Sequence, residues 1–393
     1  MKSGYKQTEV GIIPQDWDID YIGNIAQINT GGRNTQDRIE DGLYPFFVRS
    51  QKVEHIDTYS FDGEAVLTAG DGVGTGKVFH YINGKFDVHQ RVYRITNFSE
   101  RVNGYYFYLY FSNHFYNRIM QMTAKSSVDS VRMEMIAKML ITIPPITEQE
   151  AIATALSDAD ALIEALEALI AKKRQVKQGT MQELLSGKKR LPESSGEWEM
   201  KMLGELGQFR GGSGFPTRYQ GNLDGDFPFF KVSDMNNEGN SIFMINANNW
   251  ITESVRKEMG ANTFPKHTII FAKIGAAIFL ERKKILAQES CIDNNVMGFV
   301  LEGDKAYFKF IHYLFLNIQL GKLVNTTALP SLNGNEIAEL AFGIPSIPEQ
   351  TAIAEILSDM DAEIATLETK LAKARQVKQG MMSELLTGRV RLI

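Results

Sequence analysis

The chain contains the same long segment twice. One copy spans 143–191 and the other spans 344–392, and they align without a gap at a constant offset of 201 residues. The sequences that precede the two copies are less alike, but Trp17 and Trp198 are 181 residues apart in corresponding openings. Farther on, the corresponding residues Phe46 and Phe229 are 183 apart, so insertions have accumulated inside these sequences. The chain is therefore predicted to be a tandem duplication whose middle parts have diverged.

The repeated segments carry apolar residues at alternating spacings of four and three. The 3.5-residue repeat predicts a coiled-coil seam, formed by Ile152, Leu156, Ala159, Ile163, Leu166 and Ile170 in the first copy and by Ile353, Leu357, Met360, Ile364, Leu367 and Leu371 in the second. Each stripe is narrow, so the expected partner of each helix is the other copy, and duplication favours an antiparallel pair. Packing of each helix on its own domain is the alternative.

Glycines offer two possible ends for each helix. The helices are expected to end or kink near Gly179 and Gly380, or to continue to Gly187 and Gly388. A helix from Thr147 to Leu185 would be roughly 55–60 Å long at 1.5 Å per residue. That length corresponds to about one to one and a half turns of B-DNA.

The repeat divides the chain into four blocks. The blocks 1–142 and 192–341 mix short β-type runs, turn residues and one aromatic helical stretch, which predicts two α+β domains. The blocks 143–191 and 342–393 are helical. The predicted fold class is α+β, with two pseudo-two-fold-related α+β domains joined by two long helices that form an antiparallel coiled coil. The strands that end in Phe46-Phe47 and Phe229-Phe230 are interpreted as core.

Composition limits the function classes. The net charge is −5, and the mixed blocks are not basic: residues 1–140 carry 15 basic and 16 acidic side chains, and 192–341 carry 14 and 17. Contact with nucleic acid would therefore need local clustering of cations or a partner that shares the neutralisation of phosphates. The single cysteine, Cys291, favours a reducing compartment. Without an apolar run of about 18 residues or a hydrophobic N-terminal stretch, the expected location is the cytoplasm.

Three repeated motifs carry a resemblance to a known family. Ile143-Pro144, Glu148-Gln149 and Ile152-Ala153 recur as Ile344-Pro345, Glu349-Gln350 and Ile353-Ala354. Arg-Gln-x-Lys-Gln-Gly at 174–179 and 375–380 is followed by Glu-Leu-Leu-x-Gly at 183–187 and 384–388. With the opening Gly11-Ile12-Ile13-Pro14-x-x-Trp17, these motifs resemble the specificity (S) subunit of Type I restriction–modification systems along the whole chain.

The resemblance implies a DNA-binding scaffold without catalysis of its own. Blocks 1–142 and 192–341 would be target recognition domains, each reading one half of a bipartite asymmetric site in double-stranded DNA. The helical blocks would set the spacer and dock two methyltransferase subunits, which bind S-adenosylmethionine and flip and methylate an adenine. Two restriction subunits, using ATP and Mg, could then join. No cofactor, metal, membrane or small-molecule substrate is expected for this chain.

The residues themselves carry no catalytic pattern. The run 71–78 lacks the Gly and the Ser or Thr of a Walker loop, and it is interpreted as a glycine-rich turn. Pro144-Pro145 lacks the polar and aromatic flanks of an adenine methyltransferase motif, and no His-x-x-x-His pair suggests zinc. Glu281-x-Lys283 is interpreted as a solvated charged turn. A protein–protein adapter without a DNA role, or an unorthodox restriction–modification enzyme, are the alternatives.

Base reading needs Arg, Lys, Asn, Gln or His side chains on loops or helix starts. For each single candidate the alternative is a solvated surface residue. The candidates are Arg33, Asn34, Arg49, Gln51, Lys77, His89, Gln90, Arg91 and Lys125 in the first block, and Arg210, Arg218, Lys231, Lys273, Asn294, Asn295 and Asn333 in the second. On the helices, Arg174, Lys177, Arg375 and Lys378 are candidates for partner docking, with a solvated helix face as the alternative.

Overall fold

The computed structural model describes residues 4–122, 130–192, 194, 196–324 and 329–392. The chain divides into two units, unit 1 with Met1–Ala168 and Glu368–Ile393, and unit 2 with Leu169–Leu367. Each unit contains one of the two mixed α/β blocks and one segment of each long helix.

Unit 1 is built around a six-stranded sheet of order β4-β9-β7-β8-β5-β6, with the parallel pair β5–β8 among antiparallel ones. The aromatic helix α2 packs on β7 and β8. The elements are β1 (Tyr5–Thr8), β2 (Gly11–Pro14), β3 (Asp18–Tyr21), α1 (Ile22–Ile25), β4 (Gln27–Thr30), β5 (Tyr44–Phe47), β6 (Glu54–Ile56), β7 (Phe61–Ala69), β8 (Phe79–Val88), β9 (Val92–Thr96), α2 (Gly104–Gln121), α3 (Met133–Ala137), β10 (Leu140–Ile143) and α4 (Ile146–Leu185), with a 3-10 turn at Thr35–Asp37.

Unit 2 contains the sheets β12-β19-β16-β17-β14, β15-β13-β18 and β11-β20. Its elements are β11 (Glu199–Met202), α5 (Leu203–Leu206), β12 (Gly207–Gly211), β13 (Phe227–Phe230), β14 (Phe243–Met244), β15 (Trp250–Ile251), α6 (Glu253–Met259), β16 (Ile269–Ala272), β17 (Lys283–Leu286), β18 (Cys291–Ile292), β19 (Val296–Leu301), α7 (Phe308–Asn317), α8 (Gly334–Ala338), β20 (Ala341–Ile344) and α9 (Ile347–Leu385). The 3-10 turns are Thr217–Tyr219, Val232–Asn236, Ala276–Leu280 and Leu320–Lys322.

The two units repeat the same internal construction. The pairs β3–β10 and β11–β20 have corresponding registers, with Asp18 opposite Ile143 and Glu199 opposite Ile344. A side chain at Gly23 would meet the Cβ of Ala137 at 3.2 Å. At the equivalent place in unit 2, Gly204 lies against Ala338 at the same distance. Tandem duplication therefore preserved both this strand pair and the close packing of the glycine beside it.

Buried aromatic residues form the cores. Trp17, Phe107 and Phe111 lie in the core of unit 1, while Phe299 and Phe315 lie in that of unit 2. The interpretation of the aromatic strand ends as core is confirmed, because Phe46, Phe47, Phe229 and Phe230 are buried. Burial of these rings is the main source of stability for domains of this size.

The two long helices continue past the first pair of candidate glycines. Gly179 and Gly380 lie inside α4 and α9, and the helices end just before Gly187 and Gly388, each at φ +69°. The left-handed conformation suits glycine after a helix C-terminus. The second of the two predicted ends is thus the correct one.

In each unit a segment of α4 lies antiparallel to a segment of α9. Lys378 pairs with Asp160 and Arg375 with Glu167 in unit 1. In unit 2, Lys177 pairs with Asp361 and Lys173 with Glu363. Along each helix pair, residue numbers increase on one helix as they decrease on the other, so the two helices are antiparallel. The predicted α+β class with antiparallel paired helices is the fold of this chain.

The residues predicted for the seam differ in how deeply they are buried. They divide into a buried set (Ile152, Leu156, Ile170, Ile353, Leu357 and Ile364) and a partly buried set (Ala159, Ile163, Leu166, Met360, Leu367 and Leu371).

Candidate nucleic-acid interface

In unit 1, the turn between β8 and β9 is tied to two neighbouring strands. The backbone N–H of His89 donates to the carbonyl of Phe47 at the end of β5, at 2.9 Å. The carbonyl of Arg91 accepts from Gly70, just after β7, at 2.8 Å, and Val92 N–H closes the turn on His89 O at 2.9 Å. These bonds hold the side chains of 89–91 at the end of the sheet. We call residues 89–92 the first turn.

Unit 2 contains the same turn between β18 and β19, at residues 293–296, which we call the second turn. Asp293 N–H donates to Phe230 O at 2.9 Å, and Val296 N–H donates to Asp293 O at 2.9 Å. Lys273 N–H donates to Asn295 O at 2.9 Å. By these bonds His89, Gln90 and Arg91 occupy the places of Asp293, Asn294 and Asn295. The backbone is shared and the side chains are different.

The first residue of each turn holds the turn from inside. His89 is buried, and its Nδ1 accepts from the N–H of Arg91 at 2.9 Å. Burial, together with the nearby Arg49 guanidinium, lowers the pKa of His89, which favours the neutral ring that can accept at Nδ1. Asp293 is also buried, and its Oδ1 accepts from Asn295 N–H at 2.7 Å. His89, a predicted DNA contact, thus has a supporting position inside the turn.

Most candidates of the first block lie together around this turn. Asp71 accepts a hydrogen bond from Nη1 of Arg49 at 2.8 Å, and Nε of Arg91 lies 3.7 Å from its other oxygen. Nε2 of Gln90 donates to Oδ1 of Asn34 at 2.6 Å. We call Asn34, Arg49, Asp71, Gln90 and Arg91 the first polar cluster. Asp71 was not among the predicted site residues because its chemistry lies in pairing with cations that are distant in sequence.

The remaining first-block candidates are placed differently. Arg33 donates from Nε to the buried Asp87 at 3.2 Å and pairs in a backbone bridge with His89. Lys77 is exposed and lies over the ring of Tyr116, 5.5 Å from its centroid, at the end of a turn closed by backbone bonds to Gly72 and Gly74. Gln51 is exposed, and Lys125 lies outside the described residues. The interpretation of 71–78 as a glycine-rich turn is confirmed.

In unit 2, Lys273, Asn294 and Asn295 are brought together by the second turn. Asn294 and Asn295 are exposed, and Nδ2 of Asn295 donates to Asp293 at 3.3 Å. Nζ of Lys273 reaches towards Gly211, where a Cβ would meet it at 3.0 Å. Lys273 stands where unit 1 has Gly70, so this turn has a cation beside it.

The other four second-block candidates each contact a residue outside this group. Arg210 stacks on Phe264, 5.0 Å from the ring centroid. Arg218 pairs with Glu258 at 3.4 Å, and Nζ of Lys231 donates to Gln220 at 3.2 Å. Asn333 caps α8 by accepting from Asn335 N–H at 3.0 Å. These contacts give each of them a role within unit 2.

A short bridge leads from each turn region to the following helix. Asp71 forms an isolated β-bridge with Ser130, and Ile274 forms the equivalent bridge with Ser331. Arg132 follows in unit 1, is exposed, and stands where unit 2 has Asn333. Arg132 was not among the predicted site residues, although it precedes Asn333 by the same 201 residues that separate the two repeated segments.

The four candidates for partner docking lie on the helix pair. Lys177, Lys378 and Arg375 form the ion pairs between helix segments described above. Lys177 also lies over the ring of Tyr313, whose hydroxyl donates to Asp361 at 2.8 Å. Arg174 is exposed. Pairing between the helices is one reason why these basic residues recur in both copies of the repeat. Their role in docking partner subunits stays a prediction.

The charged pair Glu281 and Lys283 is not placed as the sequence predicted. Lys283 is buried, pairs with Glu281, and donates to the carbonyl of Ile318 at 2.9 Å. The carboxylate of Glu281 also accepts from the backbone N–H groups of Leu320 and Gly321. The interpretation as a solvated charged turn is therefore wrong. These contacts anchor the 3-10 turn after α7.

The described residues also bear on metal sites and on membrane insertion. No group of three or more His, Cys, Asp or Glu side chains there is arranged to hold a metal ion. No helix among them combines the length and apolarity needed to cross a membrane.

The likeness to known proteins extends over nearly the whole chain. The chain is 22% identical over 414 residues to the specificity subunit of the Type I restriction enzyme MjaVIII of Methanocaldococcus jannaschii, covering 97% of this chain and 94% of that protein. It is 29% identical over 168 residues to the EcoDI specificity subunit of Escherichia coli, covering 43% of this chain and 36% of that protein.

A solved structure shares the fold. The S subunit of a Type-I restriction-modification system from M. genitalium aligns with a TM-score of 0.62 and 16% identity, covering 98% of this chain and 99% of that one. The family model described as the Type I restriction modification DNA specificity domain matches twice, at residues 14–176 and 195–376. The chain therefore belongs to the family of Type I restriction–modification specificity subunits.

Proposed function

We propose that this chain directs a Type I restriction–modification complex to a bipartite, asymmetric DNA site, with each unit reading one half. The observation that carries the proposal is the pair of equivalent turns. Identical backbone bonds support His89-Gln90-Arg91 in unit 1 and Asp293-Asn294-Asn295 in unit 2. Because bases are distinguished by side-chain donors and acceptors, one backbone with two side-chain sets suits two different half-sites.

The charges are compatible with DNA as a shared ligand. The chain has a net charge of −5, yet Arg49, Arg91 and Lys273 lie at the turns. Phosphate contacts supply most of the affinity for DNA, so we propose that partner subunits neutralise phosphates along the same duplex.

The long helices are proposed to set the unread spacer and to dock two methyltransferase subunits. The helices α4 and α9 contain 40 and 39 residues, each about 60 Å long. Each helix contributes one segment to unit 1 and another to unit 2, so the two units share the length of that helix. The chain itself is proposed to be non-catalytic. S-adenosylmethionine would be bound by the methyltransferase subunits, and ATP with Mg by up to two restriction subunits.

The test is co-expression of this chain with its methyltransferase subunits, followed by genome-wide mapping of N6-methyladenine. The expected result is a gapped motif with two different halves, which vanishes when the chain is deleted. Methylation without a gapped motif, or unchanged by the deletion, would refute the proposal. Steep, salt-dependent DNA binding by the assembled complex is also expected, whereas an adapter without a DNA role would show none.

A further inference from the structure

We infer that the two turns select different bases, guanine through Arg49 and Arg91 in unit 1 and adenine through Asn294 in unit 2. The inference rests on the proposed function, since it assigns base classes to the two half-sites. It is carried by two observations. The backbones of the two turns are equivalent, and the exposed side chains at the turns differ in the ion pairs and hydrogen bonds that they already make.

In the first turn, two guanidinium groups converge on one carboxylate. Arg49 and Arg91 come from different strand ends, and both approach Asp71. Their side chains stay 44% and 66% exposed, so donors remain free to face a ligand. A guanidinium that bonds to N7 and O6 of guanine in the major groove is the commonest specific contact to DNA. Asp71 holds the pair together and is a positioning residue.

Gln90 is a weaker choice for reading at this turn. Its Nε2 already donates to Asn34 at 2.6 Å. A bidentate contact to adenine needs both the amide donor and the amide acceptor. The existing bond would have to break, so the arginines are the side chains ready to bind.

In the second turn the guanidinium is replaced by amides. Asn295 is engaged with Asp293 through both its backbone and its side chain. Asn294 is exposed, and within the described part of the chain its side chain forms no hydrogen bond. A free asparagine amide matches N6 and N7 of adenine. Lys273, beside this turn, is placed for a phosphate, which would position the turn without reading sequence.

The experiment exchanges the turns in the full chain, co-expressed with the methyltransferase subunits. One variant carries Gln90→Asn with Arg91→Asn, and the reciprocal variant carries Asn294→Gln with Asn295→Arg. Motifs are mapped from N6-methyladenine. The expected result is loss of guanine preference, by about tenfold or more, at one position of one half-site in the first variant. The other half-site and the gap should stay unchanged. The reciprocal variant should alter only the other half-site.

Single substitutions serve as matched controls. Arg91→Lys keeps the charge but loses the planar, fixed pair of donors that a guanidinium presents, so it should relax the same guanine position. Asp71→Asn should relax it as well, with an unchanged melting temperature. Arg38→Lys, at an exposed arginine that pairs with Glu54, should leave the motif intact.

The outcomes separate the two proposals. A gapped motif in the wild type, with the same bases selected by every turn variant, would overturn this inference and leave the proposed function standing. The absence of a gapped motif in the wild type would overturn both. If a double variant fails to assemble, the Arg91→Lys and Asp71→Asn complexes decide the question in competition binding with duplexes that vary one base at a time.

Discussion

Arg391 forms a two-bonded ion pair with Glu148, with Nε 2.6 Å from Oε1 and Nη2 2.7 Å from Oε2. Glu148 is fully buried and also accepts from Nε1 of Trp17 at 2.9 Å. Arg190 makes the equivalent pair with Glu349 in unit 2, at 2.6 and 2.8 Å. The glutamate of the Glu-Gln motif in each copy of the repeat is therefore neutralised by an arginine near the end of the other copy. This pairing explains why the sequence likeness continues beyond the helix ends.

Arg391→Met is expected to lower the free energy of unfolding by about 3 kcal/mol, because it leaves the buried Glu148 carboxylate without its cation. Urea denaturation of the full chain would measure the loss. Arg389→Met is the matched control, since Arg389 is largely exposed and pairs with Glu384 on the surface. Adding Glu148→Gln to Arg391→Met should restore part of the loss. Equal effects of the two arginine substitutions would contradict the assignment.

The two equivalent tryptophans should respond differently to replacement by phenylalanine. Trp17 Nε1 bonds to Glu148, whereas the buried Nε1 of Trp198 has no hydrogen-bond partner in the described residues. Both rings have an arginine near their face, at 5.8 and 5.7 Å. Trp17→Phe should therefore cost more stability than Trp198→Phe, by about 1.5–3 kcal/mol for the lost bond to a charged group. Paired urea titrations of the two variants give the comparison, and similar losses would argue against it.

Gly179→Ala and Gly380→Ala should each stabilise the protein by about 0.5–1 kcal/mol. Both glycines lie inside long helices, and a Cβ at either position meets nothing within 4 Å. Alanine reduces the backbone entropy lost on folding and is the better helix former. Thermal denaturation would record a higher Tm. Gly187→Ala is the opposite control, because its φ of +69° disfavours alanine and should lower Tm.

Stability should depend on pH through His312. Its ring is buried, its Nε2 bonds to the carbonyl of Lys283, and burial lowers its pKa to about 4. The unfolded chain binds this proton near pH 6.5, so the contribution of the neutral ring is complete above that pH. It is lost as the pH falls towards 4, at no more than about 1.4 kcal/mol per pH unit.

His312→Gln, which can keep the bond to the carbonyl, should flatten that part of the pH profile. The measurement is the free energy of unfolding at pH 7, 6 and 5 for both proteins. His55→Gln, at an exposed histidine, should leave the profile of the wild type unchanged. Parallel profiles for the wild type and His312→Gln would show that this ring is not the titrating group.

One heptad inserted into both long helices should change the preferred spacer and leave both half-sites as they are. Seven residues add about 10.5 Å and keep the seam in register. The insertion points are after Ala168 in α4 and after Leu367 in α9, where the two units divide. Methylome mapping gives the spacer directly. The same heptad in one helix only should abolish methylation, and altered half-sites in the double insertion would refute the spacing role.

The repeat in the sequence was sufficient to predict the helices. A 3.5-residue apolar period and the glycines at 187 and 388 are local features, and the structure places the helix ends there. The period could not decide between the two candidate glycine positions, because an isolated glycine is tolerated inside a helix at modest cost. Packing and the αL geometry at Gly187 and Gly388 decided it.

The candidate interface was predicted residue by residue but not as a group. Arg49, Asp71 and Arg91 are far apart in sequence and meet because the first turn is bonded both to Phe47 at the end of β5 and to Gly70 after β7. The sequence also could not show that His89 is buried, or that Lys283 lies inside unit 2. Those facts depend on which strands are neighbours.

By itself, the sequence determined the duplication, the α+β class, the long helices and the family, because these follow from periodicity and motif spacing along the chain. The tertiary structure alone decided which polar side chains meet, which ones turn inward, and that Gln90-Arg91 and Asn294-Asn295 occupy equivalent places. The physical reason is that strand pairing joins residues separated by insertions of different length. Backbone hydrogen bonds preserve that register where the alignment of side chains has been lost.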